Sequence, residues 1–442
     1  MAKNTTQADF DFKKTLRVTF DGGVISGDGG LPLVRQLDDH LGLTRRFAEA
    51  LHDPRNPVFI THPAHDLVRS RVYGILHGYE DCNDFGHLRS DVLFKAACDR
   101  LDGDPELPSQ PTLSRFENRA TLDDLMAGRE TLLEHFIRRW KIRFERPRSV
   151  TLDVDTTDDP THGQQQFSAF NAYYDTHCYM QLLVHSEEGD LLSATLLPNV
   201  ANARSLAVSH LDHLVSRLRS AWPEIRIRIR ADNGFACPEL YDFCEGQRLE
   251  YIVNAGSNAS FQEKAVPLLE QAERLFAEGG ASQTARVFGE FQHQAKSWRQ
   301  PRRIIAKAQR TPLGPDSRFL VTNLNLSPAN VYANYARRGQ EENWIKDLKR
   351  ALKSDRLSCT RFKANFLRLL LFALAYQLGH ELRRRAPPQF RTAQLDTFRL
   401  HFLRVPALVH ETARKLWVRI SSTYPWRLQW LELARSVASL SG

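Results

Sequence analysis

The chain has 442 residues, of which 42% are hydrophobic and 25% charged. Such proportions suit folded globular proteins and exclude a largely disordered chain, a collagen-like fibre and a disulfide-stapled miniprotein. The length requires more than one hydrophobic core. The net charge of +8 is unevenly placed: residues 331–442 hold 21 Lys and Arg against 8 Asp and Glu, so the preceding 330 residues are mildly acidic. A basic C-terminal quarter suits a polyanion-binding surface.

Taken in chain order, Leu16–Phe20 alternates like a strand, and Asp21-Gly-Gly and Gly27-Asp-Gly-Gly mark turns. Leu31–Leu51 and Pro63–His77 carry helical spacing of apolar residues. After a break at Asp102-Gly-Asp-Pro, the stretch Ser109-Gln-Pro-Thr112 opens a helical run toward Trp140. A helix there would expose Ser114, Arg115 and Arg119, a face able to enter a DNA groove. The period then changes to two at Ser149–Asp155, with further strands at Tyr173–His185 and Asp190–Leu197. A helix over Ser205–Leu218, a strand over Ile225–Asp232, a helix over Pro238–Gly246 and a strand at Tyr251–Val253 complete the series. Three meandering strands followed by helix, strand, helix and strand give the element order of a ribonuclease-H-like α/β fold. Residues 255–316 read as an insertion outside the sheet, Phe319–Thr322 as a last strand, and the chain from Pro328 as helical almost to its end.

No apolar run reaches the roughly 18 residues of a spanning helix. The nearest approach, Phe366–Leu378, contains Arg368 and Gln377 and reads as a buried helix, so no membrane partner is expected. The opening Met1-Ala-Lys-Asn lacks the apolar stretch of a secretory signal, which makes the expected location cytoplasmic. Cys82, Cys98, Cys178, Cys237, Cys244 and Cys359 form no C-x-x-C pair and read as reduced, mostly buried thiols.

The chemistry concentrates in three places. Alternation in Val150-Thr-Leu-Asp-Val-Asp155 puts Val150, Leu152 and Val154 on one face and Thr151, Asp153 and Asp155 on the other. Two carboxylates so close repel and need a cation or hydrogen-bond donors beside them. Asp232 ends its strand in the same way, at an Asn233-Gly234 turn, and ligands of open α/β sheets collect at carboxyl ends of strands. A third acid comes from the helix beginning near Val331. At about 100° per residue, Tyr335, Arg338, Glu342, Lys346 and Lys349 share one stripe, whereas Glu341 falls at about 240° from Tyr335, well off it. Three carboxylates suit a pair of hard divalent cations, Mg²⁺ with Mn²⁺ as substitute, and two such ions activate both oxygens of a phosphodiester displacement. Arg338 and Lys349 would hold phosphates, the former through its planar fork.

These residues carry a resemblance. Tyr335-x₂-Arg338-x₃-Glu342-x₆-Lys349 resembles the Y-x₂-R-x₃-E-x₆-K signature of bacterial insertion-sequence transposases of the DDE type. Asp155-Thr-Thr resembles that family's first acidic block and Arg230-Ala-Asp232-Asn-Gly-Phe235 its second. Ser26-Gly-Asp-Gly-Gly-Leu31, Ser109–Arg115, His162-Gly-Gln-Gln165, Tyr173-Tyr-Asp175 and Cys178-Tyr179 are similar to the insertion-sequence group numbered thirteen-eighty. The resemblance spans roughly residues 10–385. It implies a ribonuclease-H-like catalytic core with a mainly β insertion, flanked by mostly helical N- and C-terminal regions. The implied catalytic and metal-binding residues are Asp155, Asp232 and Glu342, with Asp153 or Asp155 open as the principal metal ligand of the first strand. The resemblance assigns DNA contacts to Tyr335, Arg338 and Lys349; the helical stripe adds Lys346, and the N-terminal helix reading adds Arg115 and Arg119.

The expected organisation is therefore a mostly helical DNA-binding region over 1–145, a core over 146–254 and 326–385, an insertion over 255–325, and a basic helical region over 386–442. The expected activity is metal-dependent cleavage at the terminal inverted repeats of an insertion sequence and 3′-hydroxyl transfer into target DNA, by a homodimer holding two double-stranded ends. The rival expectations are a catalytically retired DNA-binding protein and a metal-dependent nuclease without strand transfer.

Overall fold

The computed structural model describes residues 7–441 except 11, 102, 200–202 and 280–283. The opening at residues 1–6 and Asp102 of the expected break lie outside the described residues. Two compact units emerge: one spans residues 121–349 and 354–373, the other residues up to 120, 350–353 and from 374 on. One of the two units is built from both ends of the chain.

The first unit is mixed α/β. In chain order it contains α1 (Leu122–Arg143), β1 (Ser149–Pro160), β2 (Thr176–Ser186), β3 (Leu191–Pro198), α2 (Ala203–Ala221), β4 (Arg226–Ala231), α3 (Pro238–Gly246) and β5 (Glu250–Ala255). There follow α4 (Ala259–Gly279), β6 (Ala285–His293), β7 (Arg302–Thr311), β8 (Gly314–Thr322), α5 (Pro328–Ala336) and α6 (Gly339–Lys346). Among the described residues nine strands form one sheet, ordered β6-β7-β8-β5-β4-β1-β2 and then the short strand Ala169–Asn171, with β3 also paired to β2. β1, β4 and β5 run parallel, whereas β2 is antiparallel to β1 and β3 to β2. The element order expected of a ribonuclease-H-like sheet is realised here.

The period-two pattern explains the layering. Val150, Leu152 and Val154 of β1 and Ile227, Ile229 and Ala231 of β4 enter one core with Leu133, Phe136 and Trp140 of α1, Leu211 and Leu218 of α2, and Leu240 and Tyr241 of α3. Each such side chain, fully buried, contributes about 1.5–3 kcal/mol. Because α1 packs on this sheet, it belongs with the mixed α/β unit rather than with the N-terminal region. Residues 255–325 also depart from expectation. They do not stand outside the sheet: β8 pairs with β5 and carries β7 and β6 as an antiparallel extension, and α4 covers them. Alternation in Arg302–Thr311 is masked by basic side chains at its ends, yet Ile304, Ile305, Ala306 and Ala308 are fully buried.

The second unit opens with the antiparallel strands Gln7–Phe10 and Leu16–Thr19, and its first helices are Leu31–Leu41 and Leu43–Ala50, hinged at Gly42 with φ +60°. Ala64–His77 and Gln110–Asn118 follow. Its distal part is not wholly helical: Ala407–Thr412 and Lys415–Ile420 form a hairpin that pairs with Ile25–Ser26. The glycines of Ser26–Leu31 are explained by this seam. Gly29 N–H donates to the Val405 carbonyl at 2.8 Å and Gly30 N–H to the Leu403 carbonyl at 3.0 Å. A Cβ on Gly30 would lie 2.3 Å from the Phe402 carbonyl oxygen and 2.4 Å from Leu403 Cα. No disulfide joins the cysteines; five are buried and Cys359 is half-buried. No described helix is long and apolar enough to cross a membrane, and Phe366–Leu378 is buried within helix Phe362–Arg385.

Gly30→Ala is therefore expected to cost about 1–3 kcal/mol through forced backbone movement. Gly86→Ala, where a Cβ meets nothing within 4 Å, is the control in urea unfolding. A second expectation concerns pH. His77 is fully buried, its Nδ1 bonded to the Tyr73 carbonyl at 2.9 Å, and burial lowers its pKa to about 3. The unfolded chain takes up this proton near pH 6.5 and the folded chain does not. The contribution is complete above about pH 6.5 and is lost as pH falls toward 3. His77→Gln should flatten the decline of unfolding midpoint across that window; superimposable profiles would refute the assignment.

Candidate active site

The site lies where β4 ends alongside the middle of β1. Their parallel register pairs Asp153 with Arg230 and Val154 with Ala231, so Asp155 and Asp232 follow as neighbours on adjacent strands, which lie about 4.8 Å apart. Asp232 caps the turn Asn233–Phe235 by accepting from Gly234 N–H at 2.9 Å. Burial pushes the Asp155 carboxyl up to about 7; Arg338 opposes the rise, while Glu341 and Asp232 add to it.

Asp153 and Asp155 part company here. Asp153 is fully buried, and both its oxygens accept from Arg230 at 2.6 Å. The Arg230 guanidinium also donates to the Asn334 carbonyl of α5 at 2.7 Å. Asp153 is thus committed to an internal ion pair, and Asp155 is the carboxylate left beside the end of β4.

The expected stripe is rearranged by a break in the helix. α5 ends at Ala336 and α6 starts at Gly339, and across the break the bonds run three residues back: Arg338 N–H to the Tyr335 carbonyl and Glu341 N–H to the Arg338 carbonyl, both 2.9 Å. Residues three apart eclipse in such a tightened turn. Tyr335, Arg338 and Glu341 therefore line up, and Glu341, off the stripe of a regular helix, turns inward. It is fully buried, 3.5 Å from Arg338 Nε and 3.4 Å from His185 Nδ1. Burial, then the charge of Asp153, raises its pKa well above the ordinary value. Glu342 is exposed; the glutamate that bears on Asp155 is Glu341.

Arg338 bridges the two groups. Its Nη2 lies 2.9 Å from Asp155 Oδ2. Burial works against this cation, but Asp155 and Glu341 outweigh it and keep it charged. Tyr335 is half-buried beside the same charges; burial raises its pKa to about 12, with Asp232 and Asp155 adding to the rise and Arg338 opposing it. Lys349 reaches β1: its Nζ donates to Asp158 Oδ1 at 2.8 Å and to Thr157 Oγ1 at 3.1 Å. Lys346 is exposed. In the other unit, Arg115 is exposed, whereas Arg119 is paired with Asp53 at 3.1 Å and lies over the Phe116 ring.

Sequence reasoning missed Arg230, His185 and Glu341. Arg230 had a signal, since Ile-Arg-Ile-Arg alternation sends it to the face of Asp153. Among the described residues no three His, Cys, Asp or Glu side chains converge as a ready-made metal site. The buried Asp153–Arg230 pair yields a prediction. Asp153→Ala leaves a buried guanidinium uncompensated and should cost about 3–5 kcal/mol, whereas Asp153→Leu combined with Arg230→Met should cost far less. Thermal unfolding of the three proteins distinguishes the two outcomes.

Comparison with known proteins matches the model of the family described as transposase DDE domain group 1 to residues 8–441. No curated protein matches. Among solved structures, the chain aligns with a cryo-EM structure of the piggyBac transposase synaptic complex with hairpin DNA at 9% identity and TM-score 0.40, covering 93% of this chain and 80% of that one. It also aligns with the Mos1 transposase paired-end complex with left transposon end at 14% identity and TM-score 0.18, covering 52% of this chain and 74% of that one. The family match takes in Asp155, Asp232 and the break between α5 and α6 that carries Arg338, and it extends over nearly the whole sequence: the chain belongs to the DDE transposase family and is an enzyme of phosphodiester hydrolysis and transesterification.

Proposed function

We propose that this chain is the transposase of an insertion sequence of the thirteen-eighty group, cleaving DNA at terminal inverted repeats and transferring the 3′-hydroxyl ends into a target duplex in a cut-and-paste reaction. The observation that carries the reading is the pair of carboxylates, Asp155 and Asp232, side by side where the parallel pairing of β1 with β4 stops, faced by Arg338. Acids so crowded gain from a cation among them.

The donor chemistry fits Mg²⁺, which prefers carboxylate oxygen and leaves room for water and phosphate. Asp155, Asp232 and Glu342 would hold it, Glu342 from its exposed place on α6. Two bound ions would supply Lewis-acid activation of the attacking and leaving oxygens. Asp153, saturated by Arg230, braces the part of β1 that presents Asp155. Arg338 neutralises Asp155 and offers a fork to a DNA phosphate, and Glu341 steadies that guanidinium from beneath. Lys349, tethered at Asp158, and the exposed Lys346 add positive charge along the DNA path. Arg115 presents a further contact in the N-terminal helix Gln110–Asn118. In this reading the working form is a homodimer on paired ends in the cytoplasm.

Purified protein incubated with labelled element ends and Mg²⁺ tests the reading. Asp155→Asn, Asp232→Asn and Glu342→Gln should each reduce nicking and joining by about 10³-fold or more while end binding persists. Glu341→Gln should cleave more slowly but measurably. Normal cleavage by Glu342→Gln with none by Glu341→Gln would move the third ligand to Glu341, and unimpaired cleavage by either Asp variant would end the metal-site assignment.

A further inference from the structure

The hairpin Ala407–Thr412 and Lys415–Ile420 has two unlike faces. Val409, Leu416, Val418 and Ile420 turn inward, the last three lining a cavity of about 730 Å³. The register pairs Leu408 with Arg419, His410 with Trp417 and Thr412 with Lys415, and all six side chains are exposed on the other face. Trp417 stands at its centre, 46% exposed, with the Lys415 ammonium 5.7 Å and the Arg419 guanidinium 5.8 Å from its ring. Arg414 projects from the turn beside Lys415.

Two features set this face apart. By register it carries no carboxylate, since Glu411 belongs to the opposite side. Arg35, Arg69, Arg71, Arg100 and Arg302 are each paired with an acid, whereas among the described residues no carboxylate is in ion-pair contact with Arg414, Lys415 or Arg419. A protein partner would ordinarily be met by charges of both signs at the rim and few at the centre. A one-signed face with a central indole complements a polyanion that also offers sugar and base edges.

We propose that this outer sheet face is a second docking surface for duplex DNA, separate from the active site, in which Arg414, Lys415 and Arg419 contact backbone phosphates and Trp417 lies against the groove wall. Lys415 and Arg419 are four residues apart, about 13 Å along an antiparallel strand, so they reach different phosphates. The proposal rests on the transposase reading for its choice of DNA. It assigns the C-terminal hairpin a share of affinity independent of sequence and of chemistry.

The test uses the full-length protein and a fluorescent 30-base-pair duplex of arbitrary sequence, with binding measured over a range of NaCl concentrations. Each lost phosphate contact lowers the slope of log affinity against log salt by about 0.9. Lys415→Ala with Arg419→Ala should therefore lower it by about 2, and Lys415→Gln with Arg419→Gln, gentler on the sheet, should do the same. Trp417→Phe should remove part of the tryptophan quenching seen on DNA addition. An unchanged slope in both double variants, with wild-type affinity, overturns the docking surface and leaves the active-site reading to the cleavage assay. Failure of the wild-type protein to bind duplex overturns both.

Discussion

Like charges crowded where the pairing of β1 with β4 stops are the constraint around which the catalytic unit is arranged. Asp153, Asp155, Asp232 and Glu341 occupy one small region, three of them largely withdrawn from water, and burial alone would drive their protons back on. The fold answers with two guanidinium groups of different kinds. Arg230 is locked in a planar two-point pair with Asp153, while Arg338 makes a looser contact with Asp155 and Glu341. One pair is scaffold; the other has a geometry that an incoming phosphate or cation can replace.

The same division runs through the sheet. Its apolar side is an ordinary core in which β1 and β4 meet α1, α2 and α3. Its other side is mixed: Ile252, Ile305 and Leu320 pack with Val331 of α5, whereas Gln181 and His185 are polar and fully enclosed. Burying polar groups is tolerable where each finds a partner, and Gln181, for example, donates to both Asp159 and the Ser354 carbonyl at 3.0 Å.

Much of this was legible in the sequence, because strand alternation and strand-end acids are local signals. Ser149–Asp155 and Arg226–Ala231 revealed both the sheet and the positions of Asp155 and Asp232. What local patterns could not reveal was the phase of the helix. A uniform turn of about 100° puts Glu342 in line with Tyr335, but the tightened turn at Arg337–Arg338 advances the phase and brings Glu341 inward instead. The five-residue π turn at Asp347–Ala351 then relaxes it. The strands at residues 285–293 and 302–311 and the hairpin at 407–420 were hidden for another reason. These strands are stabilised by distant partners, and basic residues such as Lys415 and Arg419 blur an alternation that Leu416, Val418 and Ile420 keep.

The seam between Gly29–Gly30 and residues 403–405 also has a bearing on how the molecule is made. On a ribosome adding about 5–20 residues per second, the segment Ile25–Gly30 waits tens of seconds for its hydrogen-bonding partners to be synthesised. The contiguous sheet from Ser149 to Thr322 can assemble in that interval. The N-terminal helices gain their last backbone contacts only as translation closes, so a nascent chain interrupted before Val405 would hold the acidic cluster but lack a finished N-terminal unit.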